Sequence, residues 1–195
     1  MTQTAHNKSQ IRKNMKKHRA AIGLSDYRSW SMDVIERCKM LREWKESRIV
    51  HIYVSSKNNE VDTIGFIISM LEGGKHVVVP RCTDGERHLE NIRIKTLDSL
   101  KPSTYGLLEP EHDPVRIVRP DQFDIIIIPL LAFDRRGGRI GFGGGYYDTL
   151  LEQCSCTKVG LAYSFQEVEK APCEDHDITL DIIVTEKETI RSCDG

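Results

Sequence analysis

The chain has 195 residues, 39% of them hydrophobic and 29% charged, with a formal net charge of −1. That is enough for one domain with a sizeable core, in ordinary globular proportions. A charge so near zero excludes a general pull toward nucleic acid or membrane, and no apolar run approaches the roughly 18 residues of a membrane span.

The charge is unevenly spread. Lys8, Arg12, Lys13, Lys16, Lys17 and Arg19 fall in the first 25 residues, which carry no acid. A solvated helix face is the ordinary reading of such a segment, with polyanion contact or organelle targeting as alternatives. The six cysteines, Cys38, Cys82, Cys154, Cys156, Cys173 and Cys193, show no paired spacing suited to zinc. Cys154 and Cys156 are too close for an ordinary local disulfide. Reduced thiols, and with them a cytoplasmic location, are expected.

Residues 8–22 and 26–41 read as helices, with Gly23 ending the first and Ser25 capping the second. Arg48-Ile-Val-His-Ile-Tyr-Val54 reads as a strand, 63–72 as a helix closed by Gly73-Gly74, and 76–80 as a second strand. A polar loop over 81–88 leads to a strand at 89–95, and 101–122 reads as mostly irregular. Asp124-Ile-Ile-Ile-Ile-Pro129 has the unbroken apolar run of a strand buried on both faces. A helix at 146–154 and strands at 158–163 and 180–185 complete the pattern. Repeated β-α-β order predicts an α/β fold: a single-domain, Rossmann-like, three-layer arrangement over residues 1–195, with a mainly parallel central sheet and helices on both faces. Ligands of such sheets gather beyond the carboxyl ends of the strands. The segments after strands 48–54, 76–80 and 124–129 therefore share one rim, which carries Glu60, Arg81 and the stretch that follows.

Residues 134–148, Asp-Arg-Arg-Gly-Gly-Arg-Ile-Gly-Phe-Gly-Gly-Gly-Tyr-Tyr-Asp, place six glycines and three arginines between that buried strand and the next helix. Without Cβ atoms, Gly141, Gly143, Gly144 and Gly145 can take positive φ and turn backbone N–H groups inward as an anion nest. Arg139 adds fixed positive charge, and the helix start behind the loop adds its dipole. Glycines after a strand often do no more than turn the chain. Three adjacent glycines with a cation, two aromatics and a carboxylate exceed what a turn requires. The spacing matches neither the P-loop nor the dinucleotide fingerprint.

This loop resembles the signature of the 5-formyltetrahydrofolate cyclo-ligase (5,10-methenyltetrahydrofolate synthetase) family. Ala132-Phe133-Asp134 and Gly138-Arg-Ile-Gly-Phe-Gly-Gly-Gly-Tyr-Tyr-Asp148 match it in order and spacing. Lys8-Ser-Gln-Ile-Arg12, Ser55 with Glu60-Val-Asp-Thr63, Tyr105-Gly-Leu-Leu-Glu-Pro110 and the segment from Asp177 to Glu186 resemble its other motifs. The resemblance implies an ATP- and Mg²⁺-dependent cyclisation of 5-formyltetrahydrofolate to 5,10-methenyltetrahydrofolate. It implies small-molecule substrates, no nucleic-acid or membrane partner, and a monomer.

On that resemblance ATP is held by Lys8, Arg12 and the run Arg139, Ile140, Gly141, Phe142, Gly143, Gly144, Gly145, Tyr146 and Tyr147. Arg139 and Tyr146 are the expected catalytic residues, and Asp148, with Asp181 as a second contact, the expected Mg²⁺ ligands. Val54, Glu60, Tyr105 and Tyr146 are the expected folate contacts. Glu60 suits a pterin, whose 2-amino and ring N–H groups offer paired donors to a carboxylate. The tyrosines suit ring stacking. Structural roles compete for several of these: core packing for Val54, a local pair for Asp181, helix-start charge for Asp148, a buried ring for Tyr105. Phe142 and Gly144 replace residues that are polar or basic in relatives, Leu89 stands where some have Met, and Glu109 where some have Gln. An enzyme of the same fold acting on another formamide, or a polyanion- or RNA-binding protein, remains as an alternative reading.

Overall fold

The computed structural model describes residues 3–56, 59–83, 87–103, 106–172 and 177–192, with side chains from residue 6 onward. The expected contact Tyr105, and Cys173, His176 and Cys193, lie outside the described residues.

Two helices open the chain, α1 (Gln3–Ala20) and α2 (Leu24–Met40), followed by a short α3 (Arg42–Glu46). Gly23, in extended conformation, caps α2 and no side-chain cap bond forms. Ser25 lies inside the helix, one residue past the start, and so is not the cap. The strands are β1 (Ile49–Ile52), β2 (His76–Cys82), β3 (Leu89–Ile94), β4 (Leu100–Pro102), β5 (Leu108–Pro110), β6 (Ile125–Pro129), β7 (Ala132–Phe133), β8 (Arg139–Ile140), β9 (Thr157–Leu161), β10 (Ile182–Val184) and β11 (Thr189–Arg191). Between them lie α4 (Ile64–Glu72) and α5 (Tyr146–Leu151).

Seven strands form one sheet in the order β11-β10-β9-β6-β1-β2-β3. The pairs from β10 through β9, β6 and β1 to β2 are parallel, and the edge strands β11 and β3 are antiparallel. This is a mixed α/β fold with a mainly parallel sheet. The β6 isoleucines explain their own run: Ile125 and Ile127 enter one apolar cluster, Ile126 and Ile128 the other. On the first face Val34, Ile35 and Cys38 of α2, Trp44 of α3 and Phe66, Ile67 and Met70 of α4 cover the sheet. On the second, Leu150 and Leu151 of α5 do so.

The chain runs outward from β1 through β2 to β3, then returns to lay β6 on the other side of β1. The strand order therefore reverses between β1 and β6. Loops leaving the carboxyl ends of two such strands diverge and leave a crevice. The segment carrying Glu60 leaves β1, and the glycine-rich stretch follows β6.

Several short elements escape the periodic pattern. β4 pairs with β5 within the stretch expected to be irregular, and β7 pairs with β8 inside the glycine-rich segment. Pairs of two or three residues are too short to show alternation.

Candidate active site

The crevice is a cavity of about 580 Å³, within the range of small-molecule sites. Lys8, Arg12, Val54, Glu60, the whole segment from Arg139 to Asp148, and Asp177 line it. Asp181 does not join them. It precedes β10, at the amino end of that strand, and its Oδ2 accepts the Lys158 backbone N–H at 2.7 Å. Asp124 does the same for Arg48 and Ile49 before β6. The expectation of Asp181 as a metal contact is thus corrected: its carboxylate ties neighbouring strand starts at the opposite rim.

The motif around Glu60 is mostly a frame. Thr63 donates through Oγ1 to the Tyr53 carbonyl at 2.9 Å and accepts the Ser55 N–H at 3.0 Å. Ser55 Oγ donates to Asp62 Oδ1 at 3.1 Å and accepts the Thr63 N–H at 3.0 Å. These bonds fold the β1–α4 connection back on itself. Asn59 tolerates the left-handed φ of 49° that the bend requires, and Glu60 is left beside the cavity. Burial raises its carboxyl pKa, an effect that the nearby Arg19 guanidinium, with Nη2 at 3.8 Å from Oε1, and a backbone hydrogen bond from Ser56 oppose only in part.

Asp134 organises the glycine-rich segment. Its carboxylate accepts N–H groups of Arg136 at 2.9 Å, Gly138 at 3.1 Å and Ala171 at 2.9 Å, shaping the β7–β8 turn. Arg135 faces outward to Glu167 and Glu188, and Arg136 is exposed. Of the three arginines, Arg139 is the one buried at the cavity, where it donates to the Ile178 carbonyl and to Asp148 Oδ1. Beyond it Gly143 and Gly145 take positive φ, 105° and 76°. Gly141 and Gly144 do not, which corrects the expectation for those two. Gly144 is instead held to a small residue by the Tyr146 ring, 2.7 Å from where a Cβ would stand. At six residues, α5 is also shorter than the expected helix 146–154.

From α1, Lys8 pairs with Asp177 at 2.5 Å and Arg12 Nε donates to the Gly141 carbonyl at 2.9 Å. The Phe142 ring lies over both Lys16 and Arg19, 5.8 and 5.6 Å from its centroid. Two buried polar atoms at the cavity, the Tyr147 hydroxyl and Glu109 Oε1, have no hydrogen-bond partner among the described residues. Leaving such groups unmatched is costly, so a polar ligand is the natural complement.

Among the described residues no cluster of three or more acids, histidines or cysteines could enclose a metal. A magnesium ion, which keeps several waters, needs only one or two carboxylates beside phosphate oxygens. Asp148 is a carboxylate at the cavity. The described free cysteines are Cys38, Cys82, Cys154 and Cys156. No described helix is long and apolar enough to cross a membrane.

Arg87 lines the cavity and Arg19 stands behind Glu60 although neither belongs to a motif, while Glu109 and Asp177 line it from motifs that gave them no defined role. For Arg19 a signal exists: with Lys8, Arg12 and Met15 it keeps the i, i+4, i+7, i+11 spacing of one helix face.

A mainly parallel α/β sheet with a polar, anion-suited crevice at its strand-order reversal defines an enzyme acting on small molecules. The model of the 5-formyltetrahydrofolate cyclo-ligase family matches residues 4–186, and the chain belongs to that family. It is 31% identical to the 5-formyltetrahydrofolate cyclo-ligase of Haemophilus influenzae over 91% of this chain and 97% of that one. The solved 5,10-methenyltetrahydrofolate synthetase of Aquifex aeolicus superposes with a TM-score of 0.84 at 35% identity, covering 96% of this chain and 94% of that one. The Mycoplasma pneumoniae synthetase, at 24% identity, shares the fold with a TM-score of 0.74 over 92% and 98% of the two chains.

Proposed function

We propose that this chain catalyses the ATP- and Mg²⁺-dependent closure of 5-formyltetrahydrofolate to 5,10-methenyltetrahydrofolate, releasing ADP and phosphate. The observation that carries the reading is the meeting, in one cavity, of the 139–148 loop, Lys8 and Arg12 of α1, and Glu60 beyond β1.

A formamide carbonyl is a poor electrophile and its oxygen a poor leaving group. In the proposed path the formyl oxygen attacks the γ-phosphorus, the bond to the bridging oxygen breaks and ADP leaves. N10 then attacks the resulting iminium carbon, the C–O bond breaks with phosphate as leaving group, and N10 gives up its proton. The chain's task is alignment and charge neutralisation. Lys8, Arg12, Arg139 and the amides from Ile140 to Tyr147 hold the triphosphate. Glu60 accepts the pterin N–H groups, Val54 and Tyr105 complete the folate contacts, and Tyr146 packs at the reacting ends beside Arg139. When bound, Mg²⁺ on Asp148 and phosphate oxygens would offset charge on the transferring group. Lys8 and Arg139 already hold acids, so nucleotide binding in this reading loosens those pairs and draws the cations toward phosphate. We further read residues 1–195 as one Rossmann-like, three-layer domain, monomeric and cytoplasmic.

The test is incubation of the purified protein with 5-formyltetrahydrofolate and Mg-ATP. Methenyl absorbance and ADP should appear together in equal amounts; ADP without the chromophore would point to a different formamide substrate.

A further inference from the structure

Arg19, near the end of α1, is 1% exposed. A guanidinium withdrawn that far from water requires an acid and hydrogen bonds to offset its desolvation. Its Nη2 lies 3.8 Å from Glu60 Oε1, and its Nη1 donates to the Leu130 carbonyl, just past β6, at 3.4 Å. The Phe142 ring covers the guanidinium, and the backbone carbonyl of Arg19 accepts from Asn59 Nδ2 at 2.9 Å. One residue thus touches the loop that carries Glu60, the end of β6 and the glycine loop. Glu60 in turn borders the cavity with its side chain 12% exposed.

At 3.8 Å the contact with Glu60 is an ion pair and not a hydrogen bond. The carboxylate keeps acceptor capacity for a ligand while its charge is answered. The other titratable groups turned toward Glu60 are phenols: Tyr27 of α2, Tyr53 just after β1 and Tyr147 of α5, all kept neutral by burial. Burial alone favours the protonated acid at Glu60; the cation that opposes it is Arg19, and a backbone hydrogen bond from Ser56 adds a smaller opposition.

Resting on the folate reading above, we propose that Arg19 is a positioning residue that holds Glu60 ionised and aimed into the cavity, so that a carboxylate and not a carboxylic acid meets the pterin. A protonated Glu60 would offer a donor where the pterin edge also presents donors. Arg19 does this from behind, without touching substrate.

Steady-state kinetics of wild type, Arg19→Gln, Glu60→Gln and the double variant, from about pH 6.5 to about pH 8.5, test the proposal. In Arg19→Gln the KM for 5-formyltetrahydrofolate should rise about tenfold at the acid end and recover toward the alkaline end, the size of one charge-assisted hydrogen bond. The KM for ATP should stay constant. Glu60→Gln should show a raised folate KM without that pH dependence, and adding Arg19→Gln to it should raise the KM no further. A pH-independent defect in Arg19→Gln, an equal loss for both substrates, or additive effects in the double variant would assign Arg19 a purely structural part and overturn the proposal. Should Arg19→Gln fail to fold, folate binding to the wild type decides. It should be flat over this range, and an inflection near neutrality that Glu60→Gln abolishes would mean that Arg19 does not hold Glu60 ionised. If the wild type forms no methenyl product, the reading of function fails and this inference with it. If product forms and Glu60→Gln raises the folate KM while Arg19→Gln leaves it unchanged at every pH, this inference alone fails.

Discussion

Arg139 reaches two segments at once, the Ile178 carbonyl and the Asp148 carboxylate, from a buried position on a two-residue strand. Removing it deletes a cation from the cavity and leaves Asp148 without its partner. Arg139→Ala should raise the KM for ATP by about one to two orders of magnitude, the scale of a charge-assisted hydrogen bond in a partly dry site. Its KM for folate should change much less, and Glu60→Ala should show the reverse split; initial rates with each substrate varied in turn measure both. A second residue carries a pH prediction. His51 of β1 is fully buried between Phe123 and Tyr147, with ring centroids at 5.1 and 6.1 Å, and neither nitrogen has a bond; Asn91 stands beside it without bonding geometry. Burial lowers its pKa from 6.5 to about 3. The unfolded chain therefore takes a proton near pH 6.5 that the folded chain refuses until about 3. Stability from this group is full above pH 6.5 and is lost as pH falls through that window, by about 2 kcal/mol at pH 5. Urea midpoints of wild type and His51→Leu at about pH 7.5 and about pH 5 check it: the variant should lose this part of the pH slope.

Legibility changes from element to element, and the reason is how many faces a segment buries. Ile125 to Ile128 could be placed as a central strand because both faces are dry, and the carboxyl-rim argument then put Glu60 and the glycine loop at one site. Asp181 went astray by one structural distinction. It is the residue before β10 and not after it, and in a parallel sheet that difference separates two opposite rims. The sheet's short edge partner β11, the β4–β5 pair and the β7–β8 pair were not legible, since two or three residues hold no period. Arg19 was hidden among the basic residues of α1, because net charge says nothing about which face of a helix is buried. Within the glycine loop only some glycines are required by conformation. Gly143 has φ of 105°, and a Cβ there would approach the Arg12 Cζ to 3.3 Å. Gly143→Ala should strain the backbone by about 1–2 kcal/mol and displace Arg12. Because the loop is exposed at that point, the melting temperature should move by only a few degrees while the KM for ATP rises about tenfold. A variant with unchanged ATP kinetics would show that the nest geometry is not used.

At the scale of the whole molecule, the sheet and the helix over its crevice are held by different kinds of contact. The seven-stranded sheet is sealed on both faces by apolar clusters. By contrast α1 places Ile11 and Met15 against the small cluster of Ala132, Ile140 and Ala171, sets His18 against the Phe165 ring and Lys16 and Arg19 against the Phe142 ring, and adds polar contacts that include Lys8 to Asp177, Arg12 to the Gly141 carbonyl, and Arg19 to Glu60 and the Leu130 carbonyl. A helix with so little apolar contact opens at lower free energy than the strands it covers. Three of its cations border or support the cavity, so a bound polyphosphate adds interactions that exist only while α1 is docked. By mass action the ligand then stabilises the docked state, by roughly 2.7 kcal/mol at a hundredfold excess over its dissociation constant. Amide hydrogen exchange measures this directly. Without ligand, α1 should exchange faster than β1, β6 and β9; with saturating Mg-ATP, exchange over α1 and residues 141–145 should slow by about a hundredfold, while the central strands, already protected by the global fold, gain less. Protection gained uniformly across the sheet, with α1 unchanged, would mean that the nucleotide binds without engaging the amino-terminal helix, and the placement of Lys8 and Arg12 at the triphosphate would be wrong.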